Sequence, residues 1–251
     1  MISFFINAIK IIFLLGFLIG IHETGHFLVA KLCKVRVNEF AIGFGPTIWT
    51  KQGKETKYAL RLIPLGGFVS MEGEEESSDK EGSFSKAPVY KRIAIVSAGA
   101  LVNIIFGIIS YFILAMTIPI IGDIFDRIYY AAGSVQNLFS AMGESIKQIF
   151  TGQIPAGDAL TGPVGISEIV VQTSGIRDFV YILSMISISL GFTNLLPFPP
   201  LDGGKIVFLI IEAIRKKPVK QEIELKIQML GFAILITLSI FITYKDILRI
   251  F

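Results

Sequence analysis

Four long apolar stretches divide the chain, and each is long enough to cross a lipid bilayer as a helix. They cover residues 2–30, 93–121, 179–196 and 227–244, and a helix needs about 20 apolar residues to span the hydrocarbon core. Prolines at 197, 199 and 200 end the third stretch, because proline cannot continue a helix. The pattern therefore predicts an α-helical integral membrane protein with about four transmembrane helices.

Between the first two stretches, apolar and polar positions alternate. Residues 35–70 contain two extended segments joined by a polar turn at 51–54, which predicts a membrane-associated β-hairpin loop. An edge of this hairpin could accept a strand from a substrate, with Tyr58 and Leu60 in contact with it. A hairpin that only packs on the helices fits the periodicity equally well. Residues 72–81 are predicted to form a solvated acidic loop.

The segment 122–178 is mostly polar and contains one apolar pattern with helical spacing. Apolar residues recur over 134–150, which predicts an outer amphipathic helix that could lie on the membrane surface. Short helices are expected after 162–165 and over 205–215. Because the outer segment is too short for a separate globular domain, we expect one core over residues 1–251.

Composition supports a membrane location, and the basic residues predict an orientation. The 251 residues are 53% apolar and 17% charged, unlike an average soluble protein. Residues 31–92 carry eleven Lys and Arg and residues 202–226 carry six, whereas residues 122–178 carry three. The positive-inside rule then places the first two segments in the cytoplasm and both termini outside. No basic cluster is interleaved with aromatic residues, so nucleic acid is not an expected partner.

Polar residues interrupt the second half of the first apolar stretch. His22 and His26 are one helical turn apart, so both imidazoles leave the same face and can bind one metal ion. Glu23 is placed to reach a water on that metal. These are the only two histidines in the chain, and polar groups within a membrane span are costly unless they serve a function or find partners. The alternative is a pair of core histidines hydrogen-bonded to their neighbours.

The proline break supplies a third candidate ligand, Asp202. A broken helix at membrane depth survives only where it faces protein or a wet cavity. Two histidines and one carboxylate form a three-ligand zinc set that leaves a fourth position for water. Asn194, before the break, could donate to a substrate carbonyl or to the developing oxyanion. Asp202 could instead be a plain turn residue, since Asp-Gly is common in loops.

This set of residues fits hydrolysis of an amide bond. Bound zinc lowers the pKa of a water toward about 7 and polarises a carbonyl oxygen. Glu23 would take the proton of the attacking water and pass it to the departing amine. A membrane metal-ion transporter is the alternative, but it would be expected to show internal repeats or several intramembrane carboxylates. A non-proteolytic relative that only binds membrane helices is disfavoured because Glu23 is present.

Five motifs follow one another along most of the chain: His22-Glu23-Thr24-Gly25-His26, Gly43-Phe44-Gly45-Pro46, Ile63-Pro64-Leu65-Gly66-Gly67-Phe68-Val69, Gly162-Pro163-Val164-Gly165 and Asn194-Leu195-Leu196-Pro197-Phe198-Pro199-Pro200-Leu201-Asp202-Gly203-Gly204. In this order they resemble the site-2 protease family (M50) of intramembrane zinc metalloproteases, close to its bacterial regulated-intramembrane-proteolysis branch.

The resemblance implies one Zn²⁺ held by His22, His26 and Asp202, with Glu23 as the base and Asn194 handling substrate. It also implies that the loop 35–70, including Gly43 and Gly45, guides a substrate strand. The expected location is the bacterial inner membrane, with the active site toward the cytoplasmic side. The expected substrates are single-span membrane proteins, either anchored regulators or signal-peptide remnants.

Two features depart from the family pattern. Members of this branch usually carry one or two PDZ domains between the second and third spans, and residues 122–178 are too few for one. The family's Gly-Pro-x-x-Asn motif reads Gly99-Ala100-Leu101-Val102-Asn103 here, so the asparagine is kept. Asn103 could support catalysis, but a hydrogen bond between helices is the simpler role for a buried amide in lipid.

Overall fold

The computed structural model describes residues 2–74, 76, 78–119, 123–153 and 163–250. Gly162 and residues 120–121 of the predicted second span lie outside this part of the chain. The elements in chain order are α1 (Ile2–Leu32), β1 (Val37–Gln52), β2 (Lys57–Met71), α2 (Val89–Met116), α3 (Ile124–Phe150), α4 (Pro163–Val171), α5 (Ile176–Asn194), α6 (Asp202–Arg215) and α7 (Gln221–Ile250).

Four of these helices are long and apolar enough to cross a membrane: Phe5–Leu32, Val89–Met116, Ile176–Asn194 and Gln221–Leu248. They correspond to the four apolar stretches, so the prediction of an α-helical membrane protein with about four spans is confirmed. The structure forms two compact units, Met1–Ile105 with Ser187–Ala233, and Phe106–Ile186 with Ile234–Phe251. The prediction of a single core over 1–251 stays a prediction.

In the first unit, α1 and α2 approach closely beside the histidine motif. A Cβ atom added to Gly25 would lie 2.6 Å from the carbonyl oxygen of Ala98, which is closer than side-chain atoms pack against backbone. Glycine is therefore needed at 25 for the two helices to reach this separation. The close approach allows the imidazoles of α1 to contact α2.

The predicted β-hairpin is present, and β2 has two arms with different neighbours. The arm 67–71 pairs with the start of β1, from Ile42↔Gly67 to Val37↔Met71. The arm 57–60 lies between two segments of β1, because Tyr58 pairs with both Phe40 and Lys51. Among the described residues, only β1 pairs with the arm 67–71. The free edge nearest the start of β1 is therefore 67–71.

This arrangement corrects the expectation for Tyr58 and Leu60, which have strand partners on both sides and cannot accept an added strand. Alternating residues identify a strand, but they do not say which of its two edges is occupied. The Tyr58 ring instead packs against Phe27 of α1, with ring centroids 6.0 Å apart, and against Phe40 at 6.3 Å. The hairpin is thereby attached to α1 beside the histidine motif.

A hydrophobic core joins the hairpin to the helices of the first unit. Its buried members are Ala30, Val35, Val37, Met71, Phe84, Ile95, Val96 and Leu209. Residues of α1, the hairpin, α2 and α6 thus share one packed interior. Because Met71 belongs to this core, the free edge of β2 is held in a fixed place.

In the second unit, the amphipathic helix is longer than predicted. It begins at Ile124 rather than near 134, because the Asp123 carboxylate accepts hydrogen bonds from the backbone N–H groups of Phe125 and Asp126 at 2.9 and 3.1 Å. Such an aspartate is a strong helix N-cap. The short helices also start close to their predicted positions: α4 begins at Pro163 and α6 at Asp202, three residues before the predicted 205.

Candidate active site

The structure brings together the three side chains that were expected to bind zinc. His22 and His26 are buried, and their Nε2 atoms lie 3.1 Å apart. Oδ2 of Asp202, the first residue of α6, lies 3.1 Å from His22 Nε2 and 3.5 Å from His26 Nε2. One ligand atom from each residue falls within 4.8 Å of the others. A single cation between them could contact all three.

Two observations test whether a zinc ion fits this cluster. Oδ2 of Asp202 is buried and accepts no hydrogen bond from the described residues. A Cβ atom added to Gly99 would collide with His26 Nε2 and lie 2.8 Å from His22 Nε2, so the space beside both nitrogens is open only because residue 99 is glycine. Imidazole nitrogens and a carboxylate oxygen are typical zinc ligands. The residues therefore fit the ion.

The other ring nitrogen of each histidine faces α2. Nδ1 of His26 lies 2.8 Å from the carbonyl oxygen of Ile95, and Nδ1 of His22 lies 3.4 Å from the side-chain amide of Asn103. Outer contacts of this kind fix the orientation of metal-binding imidazoles. The rings are thus held with both Nε2 atoms toward Asp202.

A polar cavity of about 240 Å³ opens beside the cluster. Its walls come from α1, β2, the start of α2, the proline break, α6 and α7: His22, Glu23, His26, Val69, Met71, Glu74, Val96, Pro200, Leu201, Asp202, Lys205 and Gln228. Glu23 therefore faces the same space as the three candidate ligands. A Cβ atom added to Gly67 would lie 3.0 Å from Cγ of Glu23, so the free edge of β2 passes directly beside this carboxylate.

Charged residues that the sequence analysis missed connect α6 to its surroundings. Lys205 lies one turn after Asp202 and forms an ion pair with Glu74 at 2.5 Å, in the wall of the cavity. Further along α6, Glu212 accepts two hydrogen bonds from the buried Arg92 of α2. Only the helical spacing from Asp202 could have pointed to Lys205, since its partner is 131 residues away.

The acidic run after β2 is less solvated than expected. Glu74 is engaged by Lys205, and Glu72 accepts a hydrogen bond of 2.7 Å from the Ser78 hydroxyl. The Ser78 hydroxyl, Lys80 and Asn38 together lower the pKa of Glu72 from 4.5 to about 2. Glu72 therefore stays anionic at neutral pH and holds the loop that continues from the free edge.

The other candidate site residues are not among the described residues that line the cavity. Asn194 is the last residue of α5 and half-buried, and it is not among the described residues that line the cavity. Gly43 and Gly45 have positive φ angles of 92° and 81°, and a Cβ atom at Gly43 would lie 2.8 Å from the carbonyl oxygen of Ile63. A bend in β1 explains these glycines without any contact to substrate.

Known proteins share sequence similarity with most of this chain. A model of peptidase family M50 matches residues 10–238. A candidate zinc metalloprotease of Clostridium acetobutylicum is 27% identical, with 97% of this chain and 98% of the relative covered. The regulator of sigma-W protease RasP of Bacillus subtilis is 24% identical, with 98% and 100% covered over 424 aligned positions. A candidate zinc metalloprotease of Vibrio cholerae is 41% identical over 47% of this chain and 28% of the relative.

Proposed function

Because the chain belongs to peptidase family M50, we propose that it is a zinc endopeptidase that hydrolyses peptide bonds within the transmembrane segments of single-span substrates. The observation that carries the proposal is the convergence of His22, His26 and Asp202 at the end of an apolar helix, beside Glu23. These substrates are anchored regulators or signal-peptide remnants. The enzyme acts in the bacterial inner membrane with one zinc ion per chain.

The chain's own residues divide the work of the reaction. His22, His26 and Asp202 hold the ion, which when bound lowers the pKa of a water and polarises the scissile carbonyl. Glu23 accepts the proton of the attacking water and delivers it to the departing amine nitrogen. Asn194, which is half-buried at the end of α5, would donate a hydrogen bond to the substrate carbonyl or to the developing oxyanion. Glu23 lies directly after the first ligand and faces the same cavity, which fits activation of a water better than transport of the ion.

The substrate strand is proposed to pair with the arm 67–71 of β2. A transmembrane helix must unwind locally before its backbone can be cut, and the freed N–H and C=O groups then need partners. The arm 67–71 offers an unpaired edge among the described residues, and Gly67 brings that edge beside Glu23. Strand addition would place the scissile bond at the cavity and satisfy the freed groups.

The decisive test compares wild type with Glu23→Gln, purified as full-length protein with a fluorescent single-span substrate in liposomes. Glu23→Gln should retain zinc and lose about 10²- to 10⁴-fold in turnover, the usual contribution of a general base. Glu55→Gln makes the same change at an exposed glutamate paired with Lys31 and should leave turnover unchanged.

Wild-type turnover in Glu23→Gln would contradict the proposed base. Loss of zinc from Glu23→Gln would make Glu23 a ligand instead. If wild-type liposomes accumulate zinc while the substrate stays intact, the transporter alternative is correct.

The strand-addition step is tested by disulfide cross-linking to a substrate that carries a cysteine near its cleavage site. In a Cys33→Ser, Glu23→Gln background, Ser70→Cys on the free edge should cross-link strongly. Leu60→Cys is the matched control, because Leu60 has strand partners on both sides. Equal or stronger cross-linking through Leu60→Cys would show that the substrate does not bind at 67–71.

We also propose that both termini lie outside and that the active site faces the cytoplasmic side. The eleven Lys and Arg of residues 31–92 support this orientation. A reporter enzyme that works only outside the cytoplasm should be active when fused to the C-terminus. Activity of a cytoplasm-restricted reporter at that position would reverse the orientation.

A further inference from the structure

Asn103 has two contacts of different kinds inside a membrane-spanning helix. Asn103 is fully buried in α2. Its backbone carbonyl accepts a hydrogen bond of 2.8 Å from the Ser187 hydroxyl of α5. Its side chain does something else, since the amide lies 3.4 Å from Nδ1 of His22. The helix–helix contact expected for this residue is thus made by its backbone, which leaves the side chain to be explained.

The chemistry of His22 decides which atom of the amide faces it. Nε2 of His22 faces Asp202, so it is the nitrogen that would bind the proposed zinc ion, and in the zinc-loaded protein it carries no proton. A neutral imidazole then carries its proton on Nδ1 and donates there. Among the described residues, the buried side-chain oxygen Oδ1 of Asn103 has no hydrogen-bond partner, and Nδ2 is the amide atom that contacts Nδ1 at 3.4 Å. Two donors facing each other cannot form a hydrogen bond.

A half-turn of the amide resolves both problems at once. It brings Oδ1 to the proton on Nδ1 of His22 and gives the unpartnered oxygen its donor. The two ends of an asparagine amide are nearly equal in size, so the surrounding side chains can stay in place. When Nδ1 of His22 carries the proton, the turned amide is the orientation that can form a hydrogen bond with the ring.

We propose that Asn103 is a positioning residue that accepts a hydrogen bond from Nδ1–H of His22 and thereby holds its Nε2 toward the metal. The Ile95 carbonyl oxygen, 2.8 Å from Nδ1 of His26, does the same for the second imidazole. Residues 95 and 103 are about two turns apart on α2, so one face of this helix orients both ligands. The inference rests on the proposed zinc site and adds a residue outside the ligand set.

Three variants separate this role from simple packing. Asn103→Leu removes the acceptor, whereas Asn103→Asp keeps an oxygen in the same place. Ser187→Ala is the matched control, because it removes the hydrogen bond to the backbone of the same residue without touching His22. Zinc affinity is measured by competition with a chelator on the full-length protein in detergent, together with thermal stability.

Asn103→Leu should weaken zinc binding about 10- to 100-fold, the usual effect of losing an outer-shell partner. Asn103→Asp should restore affinity close to that of wild type. Ser187→Ala should lower thermal stability and leave zinc affinity unchanged. Wild-type affinity in Asn103→Leu, or an equal loss of affinity in Ser187→Ala, would overturn the proposal.

Nitrogen-15 NMR of the histidine side chains gives a second readout, in wild type and in Asn103→Leu. Since the chain contains only two histidines, labelled zinc-loaded protein gives two assignable imidazoles. Both should carry a hydrogen-bonded proton on Nδ1, and Asn103→Leu should shift only the signal of His22. A His22 ring without a proton on Nδ1 in wild type would overturn the proposal.

Failure of wild type to bind zinc would overturn the proposed function and the role of Asn103 together. Intact zinc binding with an unchanged His22 signal in Asn103→Leu would overturn the role of Asn103 alone.

Discussion

Asp202 and Asp246 are both aspartates whose carboxylates are held away from solvent, yet their partners differ in kind. Oδ2 of Asp246 accepts a hydrogen bond of 2.9 Å from the backbone N–H of Gly165, in the first turn of α4. Oδ2 of Asp202 faces the Nε2 atoms of His22 and His26, and no other described group donates a hydrogen bond to it. A buried carboxylate with a donor has its charge satisfied by the fold. One that faces only two imidazole nitrogens requires a cation between them or a proton on one of them.

Burial alone therefore does not distinguish a carboxylate that stabilises the fold from one that could bind an ion. Asp246 is more buried than Asp202, so a ranking by burial would choose Asp246 ahead of the residue that we propose binds the ion. A helix N-terminus attracts a negative side chain, which is sufficient reason for Asp246 to be where it is. We therefore expect Asp246 to stabilise the fold and Asp202 to bind the proposed ion, and each role can be tested separately.

The largest expected difference is between Asp202→Ala and Asp246→Ala. Asp202→Ala should lose substrate cleavage and weaken zinc binding more than about 100-fold, beyond the effect of an outer-shell residue. Asp246→Ala should keep zinc affinity and cost about 0.5–2 kcal/mol of stability, as for other helix caps. Chelator competition and thermal unfolding measure the two effects. Loss of zinc from Asp246→Ala with normal binding in Asp202→Ala would reverse the comparison.

Removal of zinc should have a smaller effect, on thermal stability, and it should again separate Asp202→Ala from Asp246→Ala. A ligand at about 100 times its dissociation constant stabilises a protein by about 2.7 kcal/mol. A chelator should therefore lower the unfolding temperature of wild type and of Asp246→Ala. Asp202→Ala should show little response, because it holds little zinc to lose. A chelator response of the same size in all three proteins would place the stabilising ion elsewhere.

The smallest effect is expected at Glu39, a carboxylate of the hairpin. Burial raises its pKa, but hydrogen bonds from Arg61 and Lys57 outweigh burial and hold the pKa below the ordinary 4.5. A lowered folded-state pKa means that the anion stabilises the fold above about the unfolded-state value. This contribution disappears as the pH falls through the folded-state pKa.

Thermal unfolding of Glu39→Gln should accordingly differ from wild type by no more than about 2–4 °C at pH 7. The difference should shrink as the pH is lowered below 4.5. A difference that grows at low pH would mean that Glu39 is protonated in the native hairpin.

The sequence was most informative where chemistry and local structure coincide. His22 and His26 could be paired because their spacing equals one helical turn. Asp202 could be added because prolines that end a membrane helix need a polar setting. By contrast, no local pattern marks Asp246, since its partner Gly165 is 81 residues away. The pairing of Lys205 with Glu74 could not be predicted either, because these residues are also far apart in the sequence.

The hairpin shows a second limit of the sequence. Alternation correctly predicted the strands of residues 35–70, but it favoured the inner residues Tyr58 and Leu60 over the free edge at 67–71. Neighbours across a sheet depend on where β2 turns back along β1, which periodicity does not encode. The start of α3 could have been predicted, because its N-cap residue Asp123 was visible in the sequence. The prediction followed only the apolar spacing and so began the helix too late.

X-ray absorption at the zinc K-edge of the full-length, zinc-loaded protein would show directly whether His22, His26 and Asp202 bind one ion. Two imidazole nitrogens and carboxylate or water oxygens should surround one zinc per chain, at about 2.0–2.2 Å. Asp202→Ala, loaded at high zinc, should lose oxygen scattering while both imidazoles remain. A sulfur neighbour at about 2.3 Å, which Cys33 or a methionine alone could supply, or a spectrum without two imidazoles, would contradict the account.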